Sequence, residues 1–192
     1  MKKLLIAALF ATTVAAPAMA QESAPFTGPR VEGLIGYDKL KGAGDGRDGL
    51  GYGIAAGYDF QLGGAVAGVE AEFADSNTDG CDSNYVVAND RICASARRDL
   101  YAGARLGVAV TPSTLLYAKA GYTNARVGVN YTNPANAAQN FSLRDNLDGV
   151  RVGAGVEQKL GTNLYVKGEY RYSNYESGFE RHQVLGGLGF RF

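Results

Sequence analysis

The chain of 192 residues holds one histidine, His182, and any acid–base or acyl-transfer chemistry would have to be built around it. A hydrolase needs a nucleophile beside such a base and a third group to orient it. Ser173, Ser177, Glu176 and Glu180 lie just upstream, but their spacing forms no triad pattern, and a histidine at the end of a polar loop reads as a cap. A second candidate is the run Asp75, Asn77, Asp79, Gly80, which opens like a calcium loop. Position twelve of such a loop must be a bidentate Glu; here it is Val86, and strands rather than helices flank the run. The glycines at 44, 46 and 49 match G-x-G-x-x-G, yet they precede a strand instead of opening a helix, so no phosphate cradle forms. The residues predict no enzyme, no metal and no cofactor.

What remains is chemistry of location. Met1, Lys2 and Lys3 precede an apolar run from Leu4 to Ala16 and an Ala-x-Ala site ending at Ala20, so residues 1–20 read as a cleaved secretory signal peptide. Its apolar run is shorter than the ~20 residues of a spanning helix. The mature chain would begin at Gln21 and carry 17 Lys and Arg against 19 Asp and Glu, which offers nucleic acid no electrostatic footprint. Export also places Cys81 and Cys93 where disulfides persist, and an even pair predicts a bridge. Closing that short loop would constrain the unfolded chain by ~3 kcal/mol. A metal pair would need further Cys or His, and His182 is distant in sequence.

The elements that position these residues follow from period-two alternation. After an aperiodic lead-in, residues 21–29, strand one sets Val31, Gly33, Ile35 and Tyr37 against Arg30, Glu32, Leu34, Gly36 and Asp38. The second sets Leu50, Tyr52, Ile54, Ala56, Tyr58 and Phe60 against glycines, Ala55 and Asp59. Six further segments repeat this, near residues 65–74, 99–110, 115–123, 150–157, 164–172 and 183–192. About ten residues is the length a tilted strand needs to cross a bilayer. Connections alternate between short turns at 61–64, 111–114 and 160–163 and long polar segments at 39–48, 75–95, 130–146 and 173–181. Short periplasmic turns and long extracellular loops produce that asymmetry. The predicted fold is all-β: an eight-stranded antiparallel transmembrane up-and-down barrel over residues 30–192. A lipocalin-like soluble barrel has a similar strand count. It would bury the apolar face and turn the charges to water, which suits neither the glycine-rich ionic face nor the loop asymmetry.

In the final segment Phe192, Phe190 and Leu188 share one face. This resembles the closing strand of bacterial outer-membrane barrels, whose C-terminal Phe and alternate apolar residues are the assembly signal. Over nearly its whole mature length the chain resembles the OmpA-like, OmpX/Ail and opacity-protein group. That resemblance implies location in the outer membrane, partners among periplasmic chaperones and the assembly machinery, and contact with membrane lipid and lipopolysaccharide. Without an added peptidoglycan-binding domain, the anchoring role of larger relatives does not carry over. Lipid A deacylase barrels are similar in strand number, but they place a Ser two residues after the His, where this chain has Val184.

If the apolar face meets lipid, the lumen holds Arg30, Glu32, Glu70, Glu72, Arg105, Lys119, Arg151, Glu157, Lys167, Glu169 and Arg171. An eight-stranded lumen is only wide enough for side chains to fill. Charges there must pair or hold water. Five acids and six bases predict a salt-bridged plug, with glycines leaving room for the long arms, and a surface or structural role for the loops. The alternative is a narrow porin passing small polar solutes or ions.

Overall fold

The computed structural model describes residues 24–42, 44–77, 79–84 and 86–192; the signal-peptide reading for residues 1–20 lies outside them. Nine strands make one antiparallel sheet: β1 (Gly28–Gly42), β2 (Gly44–Leu62), β3 (Ala65–Ser76), β4 (Asp79–Ser83), β5 (Arg91–Thr111), β6 (Thr114–Thr132), β7 (Phe141–Lys159), β8 (Leu164–Tyr175) and β9 (Glu180–Arg191). Apart from β3 and β4, each strand pairs with the next in sequence; β1 pairs with β9 and β3 with β5, which closes the sheet. Eight strands form the barrel wall. The ninth, β4, is a short outgrowth on β5 beyond the end of β3.

Alternation fixes which side each residue takes. β3 alternates exposed and buried residues along most of its length, and a one-residue slip would move every charge to the lipid side. Outward lie Val31, Ile54, Val69, Phe73, Leu106, Leu116, Val150 and Leu188, all exposed. Aromatic pairs sit near the short-turn end, Tyr58 with Phe60 at 4.7 Å and Phe190 with Phe192 at 5.0 Å between ring centroids. Tyr37, Tyr52, Tyr122 and Tyr170 sit near the long-hairpin end. An apolar band between two aromatic girdles is the outer surface that a bilayer requires.

The long polar segments depart from expectation. β1 and β2 continue through Leu40↔Arg47 to Gly42↔Gly44, replacing the loop expected at 39–48. Likewise β5 begins at Arg91, β6 runs to Thr132 and β7 begins at Phe141, so little of 130–146 is loop. β8 runs to Tyr175 and β9 begins at Glu180, which reduces 173–181 to a short 3-10 turn. Hydrophobic alternation reports where a strand meets lipid, and it stops when the strand leaves the membrane. The hydrogen-bond ladder has no reason to stop there. The Cys81–Cys93 disulfide is present and joins directly opposed residues of β4 and β5.

The lead-in is also ordered from Ala24 onward. Phe26 is fully buried, packed with Val66, Leu115 and Tyr117 at the short-turn end of the lumen. Its N–H donates to Gln61 Oε1 at 3.0 Å, and Arg191 Nη1 donates to its carbonyl at 2.6 Å.

Candidate functional site

Inward positions of all eight wall strands converge on one charged interior. The eleven side chains expected there are all buried, and five more join them: Asp38, Asp59, Asp99, Arg181 and Arg191. The count among the described residues becomes eight carboxylates (Asp38, Asp59, Asp99, Glu32, Glu70, Glu72, Glu157, Glu169) and eight cations. Arg30, Arg105, Arg151, Arg171 and Arg181 are among the largest fully buried side chains.

They form stacked, connected tiers. Nearest Phe26, Arg105 and Arg191 alternate with Asp59 and Glu157 in a four-membered ring, its contacts 2.5, 3.0, 2.7 and 2.8 Å. Arg30 rises from it, reaching Asp59 at 3.1 Å, Glu32 at 2.8 Å and Glu70 at 2.5 Å. A second ring then runs from Glu70 to Lys119 (2.5 Å), Glu169 (2.9 Å), Lys167 (3.1 Å) and Glu32 (2.8 Å), closing on Arg30. Arg171 bridges Glu169 to Glu72, the latter at 2.5 Å. Arg151 joins Glu72 to Asp99, and Arg181 joins Asp99 (2.7 Å) to Asp38 (2.5 Å) at the long-hairpin end. Every ion faces at least one partner of opposite sign, the condition for holding charge in a site of low dielectric.

Tyrosines fill the gaps between the tiers. Tyr165 donates to Glu32 at 3.0 Å and Tyr117 to Glu169 at 2.5 Å. Lys119 Nζ lies 4.6 Å from the Tyr101 ring centre and Arg105 lies 4.9 Å from that of Tyr117. The inward glycines make room for these rings: a Cβ on Gly189 would sit 2.1 Å from Tyr165 Cζ, and one on Gly103 would sit 2.2 Å from the Tyr101 hydroxyl. Above Asp99, Ala125, Leu147 and Tyr175 form a buried apolar cluster with Val127 packed against it.

The five added charges carried a signal in the sequence. Asp38, Asp59, Asp99 and Arg191 stand on the glycine-rich faces, and extending the parity of Gln183 back two residues reaches Arg181. Arg181 fell within a segment read as loop, which hid it. The terminal Phe192, Phe190 and Leu188 all point outward and are exposed.

The other candidates do not assemble. Ser173 is buried and receives Arg151 Nε at 2.8 Å, while His182 pairs in register with Tyr172 on the opposite face, with Nδ1 2.7 Å from the Tyr170 hydroxyl. One side of the sheet therefore separates the serine from the histidine. Glu180 accepts from the Tyr172 hydroxyl at 3.0 Å; the Ser177 side chain lies outside the description. In the calcium-like run, Asp75 Oδ1 accepts from the Ser76 N–H and Asn77 Oδ1 from the Leu50 N–H. No three metal-ligating side chains converge among the described residues. Beyond the membrane, Tyr131 donates to Asp90 at 2.9 Å, and burial together with that carboxylate raises its hydroxyl above the ordinary phenol range.

Comparison with known proteins agrees with this architecture. A 22 kDa outer membrane protein of Rhizobium leguminosarum bv. viciae is 30% identical over 156 residues, covering 75% of this chain and 67% of that protein. The attachment invasion locus protein Ail of Yersinia pestis, solved with the heparin analogue sucrose octasulfate, shares the fold at 18% identity and a TM-score of 0.57, over 86% of this chain and 99% of that one. Neisserial surface protein A aligns at 14% identity and a TM-score of 0.60, over 86% and 98%. The outer membrane protein beta-barrel domain family matches residues 6–192. That match spans every strand carrying the apolar belt and every residue of the charged interior: the chain belongs to this family and is a protein of the bacterial outer membrane.

Proposed function

We propose that the barrel does not conduct and serves as a surface and structural protein of the envelope, acting through its long hairpins. The observation that carries this reading is the balanced, continuous ion-pair network, capped by Phe26 at one end and by Leu147 and Tyr175 at the other. A solute crossing the lumen would have to separate several buried ion pairs at once. Deleting one partner of such a pair costs about 3–5 kcal/mol, and a permeating solute would have to part pairs in every tier in succession. The hairpins are the part of the molecule free to meet other molecules, and the disulfide holds one of them. Phe192, Phe190 and Leu188 form the outward signal by which chaperones and the assembly machinery would recognise the chain.

Vesicle swelling tests the proposal against the narrow-porin alternative. Vesicles carrying folded protein are expected to swell in small sugars and amino acids no faster than empty ones. Swelling that falls when Glu70 is replaced by Gln would make transport the function. Deleting residues 84–90 should leave swelling and folding unchanged and alter only surface phenotypes.

A further inference from the structure

Outside the barrel, where β5, β6 and β7 rise past the extracellular girdle, four arginines surround a concave polar pocket of ≈ 350 Å³. Its lining comprises Arg97, Arg98, Arg126 and Arg144, with Ser95 and Asn130 as neutral polar groups and Asp75 as the single acid. In the lumen every arginine meets a carboxylate. Here Arg98 reaches only the Asn124 amide oxygen at 3.2 Å, Arg126 only Asn146 at 3.1 Å, and Arg98 Nε is buried without a partner. A bulge between Ala96 and Asp99 brings Arg97 and Arg98 together at the pocket's edge.

Register gives the pocket's place. Tyr122, Asn124 and Arg126 share the outward face of β6, opposite Val150, Asp148 and Asn146 of β7. Tyr122 belongs to the extracellular girdle. At about 3.3 Å per residue along a strand tilted by ~40°, Asn124 and Arg126 stand roughly 5 and 10 Å above that ring. This is the height of the headgroup layer, on the side that faces lipid.

We infer that this pocket clamps a phosphate of outer-leaflet lipopolysaccharide, with the guanidinium groups of Arg97, Arg98, Arg126 and Arg144 as donors. Guanidinium forks match phosphate oxygens in pairs, and among the described residues the four arginines of this lining face one carboxylate, Asp75, a surplus of three positive charges. The occupant must be anionic, must lie beside the wall and not above the lumen, and must be abundant at that depth. The phosphorylated sugar of lipid A meets all three conditions. The inference rests on the outer-membrane location alone and stands whether or not the lumen conducts.

The test counts lipids bound to the folded, detergent-solubilised mature protein by native mass spectrometry, with folding verified by heat-modifiable gel mobility. The probes are bisphosphorylated lipid A, the same lipid with both phosphates removed, and inorganic phosphate as competitor. Wild type is expected to retain the bisphosphorylated lipid and release the dephosphorylated one. Each charge removed should cost about fivefold in affinity, so Arg126→Gln with Arg144→Gln should lose roughly 25-fold, while Arg91→Gln, outside the pocket, should lose nothing. Equal retention of both lipids by wild type would overturn the inference, and this comparison needs no variant to fold. Unchanged binding in the folded double variant would overturn it as well. Displacement by millimolar inorganic phosphate would assign the pocket to free phosphate instead of a lipid.

Discussion

Asp59 is the residue on which the lower lumen turns. It is fully buried and receives Arg30, Arg105 and Arg191 at 3.1, 2.5 and 2.7 Å. Asp59→Ala would leave three guanidinium groups around a hole, and truncating one partner of a buried pair costs about 3–5 kcal/mol. Urea unfolding of the refolded protein in vesicles should show that loss, and an unchanged midpoint would mean the network is not holding the barrel. Gly189 makes a complementary point through size. Gly189→Val would drive the Tyr165 ring from its place beneath Arg191 and away from Glu32, an overpacking cost of about 1–3 kcal/mol. The same unfolding assay checks it, with Gly168→Val as the comparison, since a Cβ there meets nothing within 4 Å. Asp59 and Gly189 occupy inward positions that alternation alone identifies. Their partners were not legible: contact between β2 and β5 depends on barrel shear, and the register of β8 with β9 on a hairpin whose ends read as loop.

At the scale of elements, wall strands and turns were legible because lipid imposes a strict period of two. The extensions of β5, β6 and β7 were not, because strands that leave the bilayer lose the alternation while keeping their ladder. β4 is the extreme case: Asp79–Ser83 carries no alternating apolar residue and is a strand by virtue of its pairing and the Cys81–Cys93 bridge. Cys81→Ser should therefore leave the unfolding of the barrel wall unchanged and raise the rate of proteolytic cutting between Asn84 and Asp90 severalfold. Gel mapping of the fragments reads this directly; equal cutting rates would show that backbone pairing alone holds the outgrowth. The lead-in teaches the same lesson in reverse. Phe26 has no periodic neighbours to mark it, and its burial arises from contacts with Val66 and Leu115, residues far away in the chain.

At the scale of the whole molecule, the distribution of charge separates two jobs. Inside, among the described residues, eight acids balance eight bases and bind to one another. Outside, above the girdle, arginines gather without balance and turn toward the lipid. The interior network supports the proposal of a closed lumen, and the exterior arginines support that of a lipid-phosphate site. The closed lumen is the central claim, and single-channel recording tests it most directly. Mature protein, shown by gel shift to be folded, is placed in a planar bilayer under applied voltage. Silence in the wild type, with openings appearing only when the tiers are disrupted by Asp59→Ala or Arg105→Ala, is the predicted result; steady openings of the wild type would contradict the plug and make transport the function of the protein.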